Sequence, residues 1–235
     1  MRRLAGAGTL AMLMALVLVA ESPFPLHAAD EADPRVHGVG DKVEGKTYAE
    51  WSAVWWQWVS RIKKDRNPVL DKTGEFTAEG QEWGVWLLAG NVGGKSARMC
   101  VIPAGKPVFF PIINTMENAT PEKADEAKLR AVAKAQMDRA AELEVTLDGK
   151  PVAGLERFRA SSPLFTLEGP DKVAEAAFAD IVGKQKAVVD GYWVMLKPLP
   201  EGKHTLRFKG KFKEEKGKEP FGLDVSYELT VERKK

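Results

Sequence analysis

The most regular periodicity in the chain lies near its C-terminus. Leu206, Phe208 and Phe212 alternate with Arg207, Lys209, Lys211 and Lys213, and Leu223, Val225, Tyr227, Leu229 and Val231 alternate with Asp224, Ser226, Glu228 and Glu232. A period of two buries one set of side chains and wets the other, so each segment predicts a strand with one solvated face. Residues 214–220 between them predict a solvated loop. Residues 83–89 (W-G-V-W-L-L-A) are apolar at both parities and predict a strand covered on both sides. Residues 98–102 and 107–113 predict two more strands. Pro103-Ala104-Gly105-Lys106 has tight-turn chemistry, so these two read as a hairpin, with Pro111 at an edge or a bulge. A second hairpin signal runs from 143–147 through Asp148-Gly149 to 150–152. Further strands are expected at 164–167 and 188–196, the latter with Tyr192 and Trp193 on opposite faces.

Helical periodicity appears three times. Thr47-Tyr48-Ala49-Glu50 is a capping box, in which threonine and glutamate each satisfy a free amide at the helix start. The helix runs to about Ile62 and is stopped by Asn67-Pro68. At ~100° per residue, Tyr48, Trp51, Val54, Trp55, Trp58, Val59 and Ile62 share one broad face. Four of the seven tryptophans fall between Trp51 and Trp58, and three of those four read as core. Trp56 points away, beside Ser52, Ser60 and Lys63, and either packs under a loop or offers an exposed aromatic plane. Residues 121–141 predict a charged helix with Leu129, Val132, Ala133, Met137 and Ala140 on one side, and residues 171–182 a short one. The fold class that follows is mainly β: an antiparallel β-sandwich, jelly-roll or Ig-like, with two or three accessory helices.

The N-terminus changes the setting. Arg2 and Arg3, the apolar run of residues 4–20 and the small residue Ala28 form the three-part layout of a secretory signal. The run is too short, and its sequel too polar, for a permanent membrane span. The expected organisation is a signal peptide over 1–28, a flexible leader over 29–46 and a single β-sandwich domain with helical insertions over 47–235, in a periplasmic or extracellular location. Cleavage after Ala28 or after Ala20 fits. The former removes Arg2, Arg3 and Glu21 and lowers the net charge from +2 to +1. Such a balance points to no nucleic-acid partner.

Composition removes more chemistry than it adds. Histidine occurs three times, and His27 leaves with the signal, so His37 and His204 cannot assemble a multi-histidine zinc site; no metal and no cofactor are expected. Cys100 stands alone and reads as a buried, inert thiol. Glu117, between an apolar strand and a helix, is the candidate catalytic acid, with Asp190 or Asp224 as the second carboxylate that a glycosidase-like reaction needs. Its bland reading is an ordinary loop residue. The basic stripe Arg207, Lys209, Lys211 and Lys213 could meet anions, but cross-strand acids such as Asp224 and Glu228 are expected to neutralise it. Trp56, Trp86 and Trp193 with Arg98 and Asn114 are the candidate ligand-binding set, because an apolar wall with a few polar groups describes a ligand pocket and suits a sugar ring. Equally, all three rings could be core.

The stretches Val85-Trp86-Leu87-Leu88-Ala89-Gly90, Arg98 to Pro107 and Phe110-Pro111-Ile112-Ile113-Asn114, together with W-x-x-x-W-W-x-W, resemble a group of uncharacterised exported bacterial proteins. The resemblance covers roughly the N-terminal half and implies a bacterial, exported setting, with no functional residue to carry over. Similar proteins often place a second cysteine upstream of the Cys100 position, whereas Phe76-Thr77-Ala78-Glu79 has none here. The functional expectation is a non-catalytic exported protein binding a ligand or partner, a glycan or an envelope protein among them. A carboxylate-dependent secreted hydrolase and an envelope structural or assembly protein are the alternatives.

Overall fold

Two five-stranded sheets pack face to face in the computed structural model, which describes residues 33–214, 217 and 221–233. The signal-like segment and most of the loop at 214–220 lie outside the described residues. The first sheet has the order β1 (Trp86–Leu87), β3 (Val108–Ala119), β8 (Lys184–Leu196), β6 (Arg159–Ser161), with β7 (Phe165–Glu168) also on β8. The second runs β2 (Gly94–Pro103), β10 (Gly222–Glu232), β9 (Gly202–Phe212), β4 (Ala140–Leu147), β5 (Lys150–Pro151). The sandwich class is the expected one. Its sheets are mixed rather than purely antiparallel, because β1 runs parallel to β3 and β2 parallel to β10.

Helix α1 (Tyr48–Arg61) covers the outer face of the first sheet. Its capping box forms as the sequence predicts: the Thr47 hydroxyl accepts from the Glu50 amide, and the Glu50 carboxylate accepts from the Thr47 amide at 2.8 Å. At the other end buried Asn67 donates to the Val59 and Ile62 carbonyls, which satisfies the last turn. The predicted apolar face is buried in full. Each indole also needs an acceptor. Trp51 donates to the Val43 carbonyl, Trp55 to that of Leu88 and Trp58 to that of Glu79, all at 2.8 Å. Rings of this size bury about 150–250 Å² each, and α1 is therefore held by packing more than by helix propensity.

The sequence of β3 explains the layering. Val108, Phe109, Phe110, Pro111, Ile112 and Ile113 are all buried, so both faces of the strand need cover. Phe109 turns to α1, stacking on Trp193 at 5.2 Å and meeting the Tyr48 edge at 5.8 Å; Phe110 turns the other way and stacks on Phe208 of β9 at 4.8 Å. Tyr192 and Trp193 separate in the same manner, as expected. Helix α2 (Glu126–Met137), shorter than the predicted charged helix and capped by Asp125, closes one end, where Met137 meets Ile113 and Phe212.

Three expectations are corrected. The turn at 103–106 does not close a hairpin: β2 belongs to the second sheet and β3 to the first, so the turn carries the chain across the sandwich. The physical reason is burial. β2 has a wet face, with Met99 and Val101 exposed, whereas β3 has none over residues 108–113. Pro111 sits at a bulge between Pro111 and Ile113, which lets a central strand tolerate it. Residues 171–182 hold a single short 3₁₀ turn at Val173–Glu175 rather than an α-helix. Residues 33–46, expected as a flexible leader, are bound to the first sheet: Val36 and Val43 are buried, the His37 amide donates to the Met195 carbonyl, and Tyr48 bridges the His37 carbonyl and the Met195 amide. The second hairpin does form. Asp148 and Gly149 adopt φ of 51° and 72°, the left-handed pair that a two-residue turn requires.

Candidate functional site

The five proposed ligand-binding residues part into two groups. Arg98 is 3 % exposed, and its guanidinium donates to the Asp71, Ala89, Gly90 and Val69 carbonyls and to the Tyr227 hydroxyl, at 2.7–3.3 Å. The Tyr227 hydroxyl in turn donates to the Ala89 carbonyl at 2.8 Å. This side chain ties the carbonyls of residues 69, 71, 89 and 90 to the second sheet, and its burial closes it to a ligand. Trp193 is wholly buried between Phe109 and Trp55, and Trp86 is 5 % exposed. Their ring faces are core contacts and are not offered to a ligand in this structure.

Trp56 and Asn114, by contrast, come together on the surface. Trp56 is half-buried on α1 and its indole N–H donates to Asn114 Oδ1 on β3 at 2.9 Å. An indole nitrogen can only donate, which fixes the amide orientation: Oδ1 faces Trp56 and the Nδ2 hydrogens are left over. Gly191 makes this possible. It lies opposite Asn114 in the β3–β8 register, and a Cβ added there would fall 2.5 Å from Asn114 Cβ. Phe178 packs on Trp56 at 5.2 Å between ring centres.

These residues line a groove of about 220 Å³. Buried Trp55, Pro111 and Leu223 form its floor, half-buried Trp56 and Phe178 its sides, and exposed Val92 and Phe221 its rim. The other amide on the lining, Asn91, is satisfied by Gly94, Ser96 and the Gly93 amide. Among the described lining residues, Asn114 Nδ2 is thus the side-chain donor without a protein partner, and none is ionisable. Sequence reasoning found Trp56 and Asn114 but not Phe178, Phe221 or Gly191. Phe178 falls in residues 171–182, whose pattern predicts a helix that does not form.

Glu117 lies within β3, opposite Val188, rather than in a loop. Burial, helped by the charge of Asp180, raises its carboxyl above the usual range. The proposed second acids are committed elsewhere. Asp190 accepts two bonds from Arg159 at 3.0 and 2.7 Å, and Asp224 two from Arg207 at 2.7 Å. The stripe on β9 is neutralised, but of the two acids expected to do it, Asp224 takes part and the lysines turn instead to acids of β4. Arg207 pairs with Asp224, Lys209 with Glu144 and Lys211 with Glu142.

His204 is held between two acceptors, Asp148 Oδ2 on Nδ1 at 2.8 Å and the Pro200 carbonyl on Nε2 at 2.9 Å. Burial alone would lower its pKa, but these two partners outweigh that and hold it above 6.5. With both ring nitrogens donating, the group favours the imidazolium and is a poor general base. Cys100 is a free, buried thiol pushed up to about 11 by burial, against a smaller opposing pull from the Thr77 hydroxyl and the Trp86 indole. A thiol so high is a weak nucleophile at neutral pH. Among the described residues no group of three His, Cys, Asp or Glu side chains gathers at metal-binding spacing, and no helix is long and apolar enough to cross a membrane.

No family model matches the chain, and no curated protein matches it. Among solved structures, a cysteine protease inhibitor from Entamoeba histolytica is similar over 57 % of this chain and 86 % of that one, at 16 % identity and a TM-score of 0.19, a likeness too low to carry an argument.

Proposed function

We propose that this chain is an exported, non-catalytic binding protein that holds one apolar group of a ligand or partner in the groove beside Trp56. The observation that carries this reading is the Trp56–Asn114 hydrogen bond, which leaves a free pair of amide donors on the lining of a mostly apolar, uncharged recess. Apolar walls with a single convergent polar group are the usual make-up of a recognition site. The hydrolase alternative loses support from the same geometry. Asp190 and Asp224 are each held by an arginine fork and cannot act as Glu117's partner without breaking it. Export rests on the sequence alone, on Arg2, Arg3, the apolar run and Ala28.

The test is a thermal-shift screen of ring-bearing small molecules, peptides and oligosaccharides against the wild type and Trp56→Ala, followed by titration of whatever binds. The reading expects binders whose affinity falls at least tenfold in Trp56→Ala while the variant stays folded. Binders that ignore this substitution, or turnover of any compound that is lost in Glu117→Gln, would contradict it. N-terminal sequencing of the protein secreted by a bacterial host checks the export half, with a mature start after Ala28 or Ala20 expected.

A further inference from the structure

Resting on the groove as the binding site, we infer that its occupant is an uncharged aromatic or large aliphatic side chain of a polypeptide, with a neighbouring carbonyl accepting from Asn114 Nδ2, rather than a sugar. Three observations carry this. The first is polar bookkeeping within the recess. A sugar ring brings several hydroxyls, each of which must exchange its water partners for protein ones or be desolvated without return. On the lining, the side-chain group without a protein partner is the Asn114 Nδ2; Asn114 Oδ1 already accepts from Trp56, which leaves it one lone pair, and both ends of Asn91 are engaged, so the side chains of the recess offer far fewer polar partners than the hydroxyls of a sugar ring need. A peptide residue has matching needs: an apolar side chain that asks for nothing, and a carbonyl that asks for one donor.

Size is the second. About 220 Å³ is below the roughly 300–1,000 Å³ of pockets that enclose whole small molecules, and suits a single side chain. The recess is also not closed around its contents. Val92 at 60 % exposure and Phe221 at 36 % continue the apolar surface past the rim, where residues flanking the inserted one would lie. Such an arrangement of one anchor in a pocket with apolar contact beside it is how protein partners are gripped.

Charge is the third. None of the described lining residues is ionisable. An acidic or basic side chain entering the groove would lose its hydration with no opposite charge to meet it, so the inserted residue is neutral.

The experiment titrates the full mature protein with N-acetylphenylalaninamide, N-acetylglutamic acid α-amide, N-acetyllysinamide and methyl α-glucopyranoside, followed by two-dimensional NMR. The aromatic amide is expected to bind with Kd on the order of 1 mM, as a fragment of its size does, and at least tenfold more tightly than either charged amide or the glucoside. Asn114→Asp isolates the donor: its carboxylate still accepts from Trp56 Nε1 but has no N–H to give. In that variant the aromatic amide should lose about tenfold while the Trp56 indole signal persists. Full affinity in Asn114→Asp, or tighter binding of a charged amide, overturns the inference. Tighter binding of the glucoside, if abolished by Trp56→Ala, overturns the peptide assignment and leaves the groove reading standing. If no probe shifts signals from the groove, both fall.

Discussion

Arg98 and Trp56 look alike on paper: each is a large side chain with a donor, set among aromatic residues, and each was a candidate for binding. The fold seals one and opens the other. Around Arg98 each guanidinium nitrogen donates to a carbonyl or to Tyr227, and the residue is 3 % exposed. At Trp56 the single donor ends on Asn114 and passes an unused pair of donors to the surface. The difference teaches that residue type marks neither site; what distinguishes them is whether the polar atoms are already spent. A polar cluster whose bonds all close internally contributes to stability, and one with a remainder is available for recognition.

The largest effect that would break this contrast is expected at Arg98. Arg98→Leu leaves buried carbonyls of Asp71, Gly90 and Val69 without a side-chain donor, and urea unfolding should show a loss of about 3–5 kcal/mol. A loss below about 1 kcal/mol would mean that the clamp is dispensable and that the two regions do not differ as described. Gly191→Ala tests the join between core and groove. Its Cβ would lie 2.5 Å from Asn114 Cβ and 2.8 Å from Trp193 Nε1, so overpacking should cost about 1–3 kcal/mol and weaken groove binding more than tenfold. Unchanged binding there would show that Asn114 does not depend on the bare backbone opposite it.

The smallest effect belongs to the His204–Asp148 pair on the second sheet. The folded pKa of His204 is raised above its ordinary 6.5, so its contribution is fully present below about pH 6.5 and lost as pH rises through the folded value. Burial alone would raise the Asp148 pKa, but His204 and the Thr205 amide outweigh it and hold it below 3.8, and its share is lost as pH falls through that lowered value. His204→Gln should therefore flatten the stability profile above pH 6.5 by no more than about 1 kcal/mol, since Asp148 is partly exposed. Groove affinity should be untouched. A change in groove affinity between about pH 6 and 8 that His204→Gln abolishes would couple this pair to the groove and contradict that.

How much of this was legible depended on the range of each interaction. Helix α1 was readable because its cap, its apolar face and its Asn67 stop lie within about twenty residues and act locally. The Asp148-Gly149 hairpin was readable for the same reason. The turn at 103–106 was misread because Pro and Gly bend the chain equally well within a sheet and between two; burial of β3 on both faces decides, and that comes from α1 and β9. The clue was present in Phe109, Phe110, Ile112 and Ile113, apolar at both parities like residues 83–89. At the site, Trp56 was singled out by its angle on the helical wheel, a local fact. Its bond to Asn114 spans 58 positions, and the glycine that admits Asn114 is identified by register across β3 and β8, which no local pattern encodes.

Whether the Asn114 amide donors beside Trp56 are open to a partner, while the other α1 indoles are spent on backbone carbonyls, is decided by the indole N–H signals in a ¹H–¹⁵N spectrum, assigned with Trp56→Phe and recorded as N-acetylphenylalaninamide is added. The Trp56 signal is expected to move with saturation, while those of Trp51 and Trp58, donating to the Val43 and Glu79 carbonyls, stay in place. A stationary Trp56 signal, or equal movement of all of them, would contradict it.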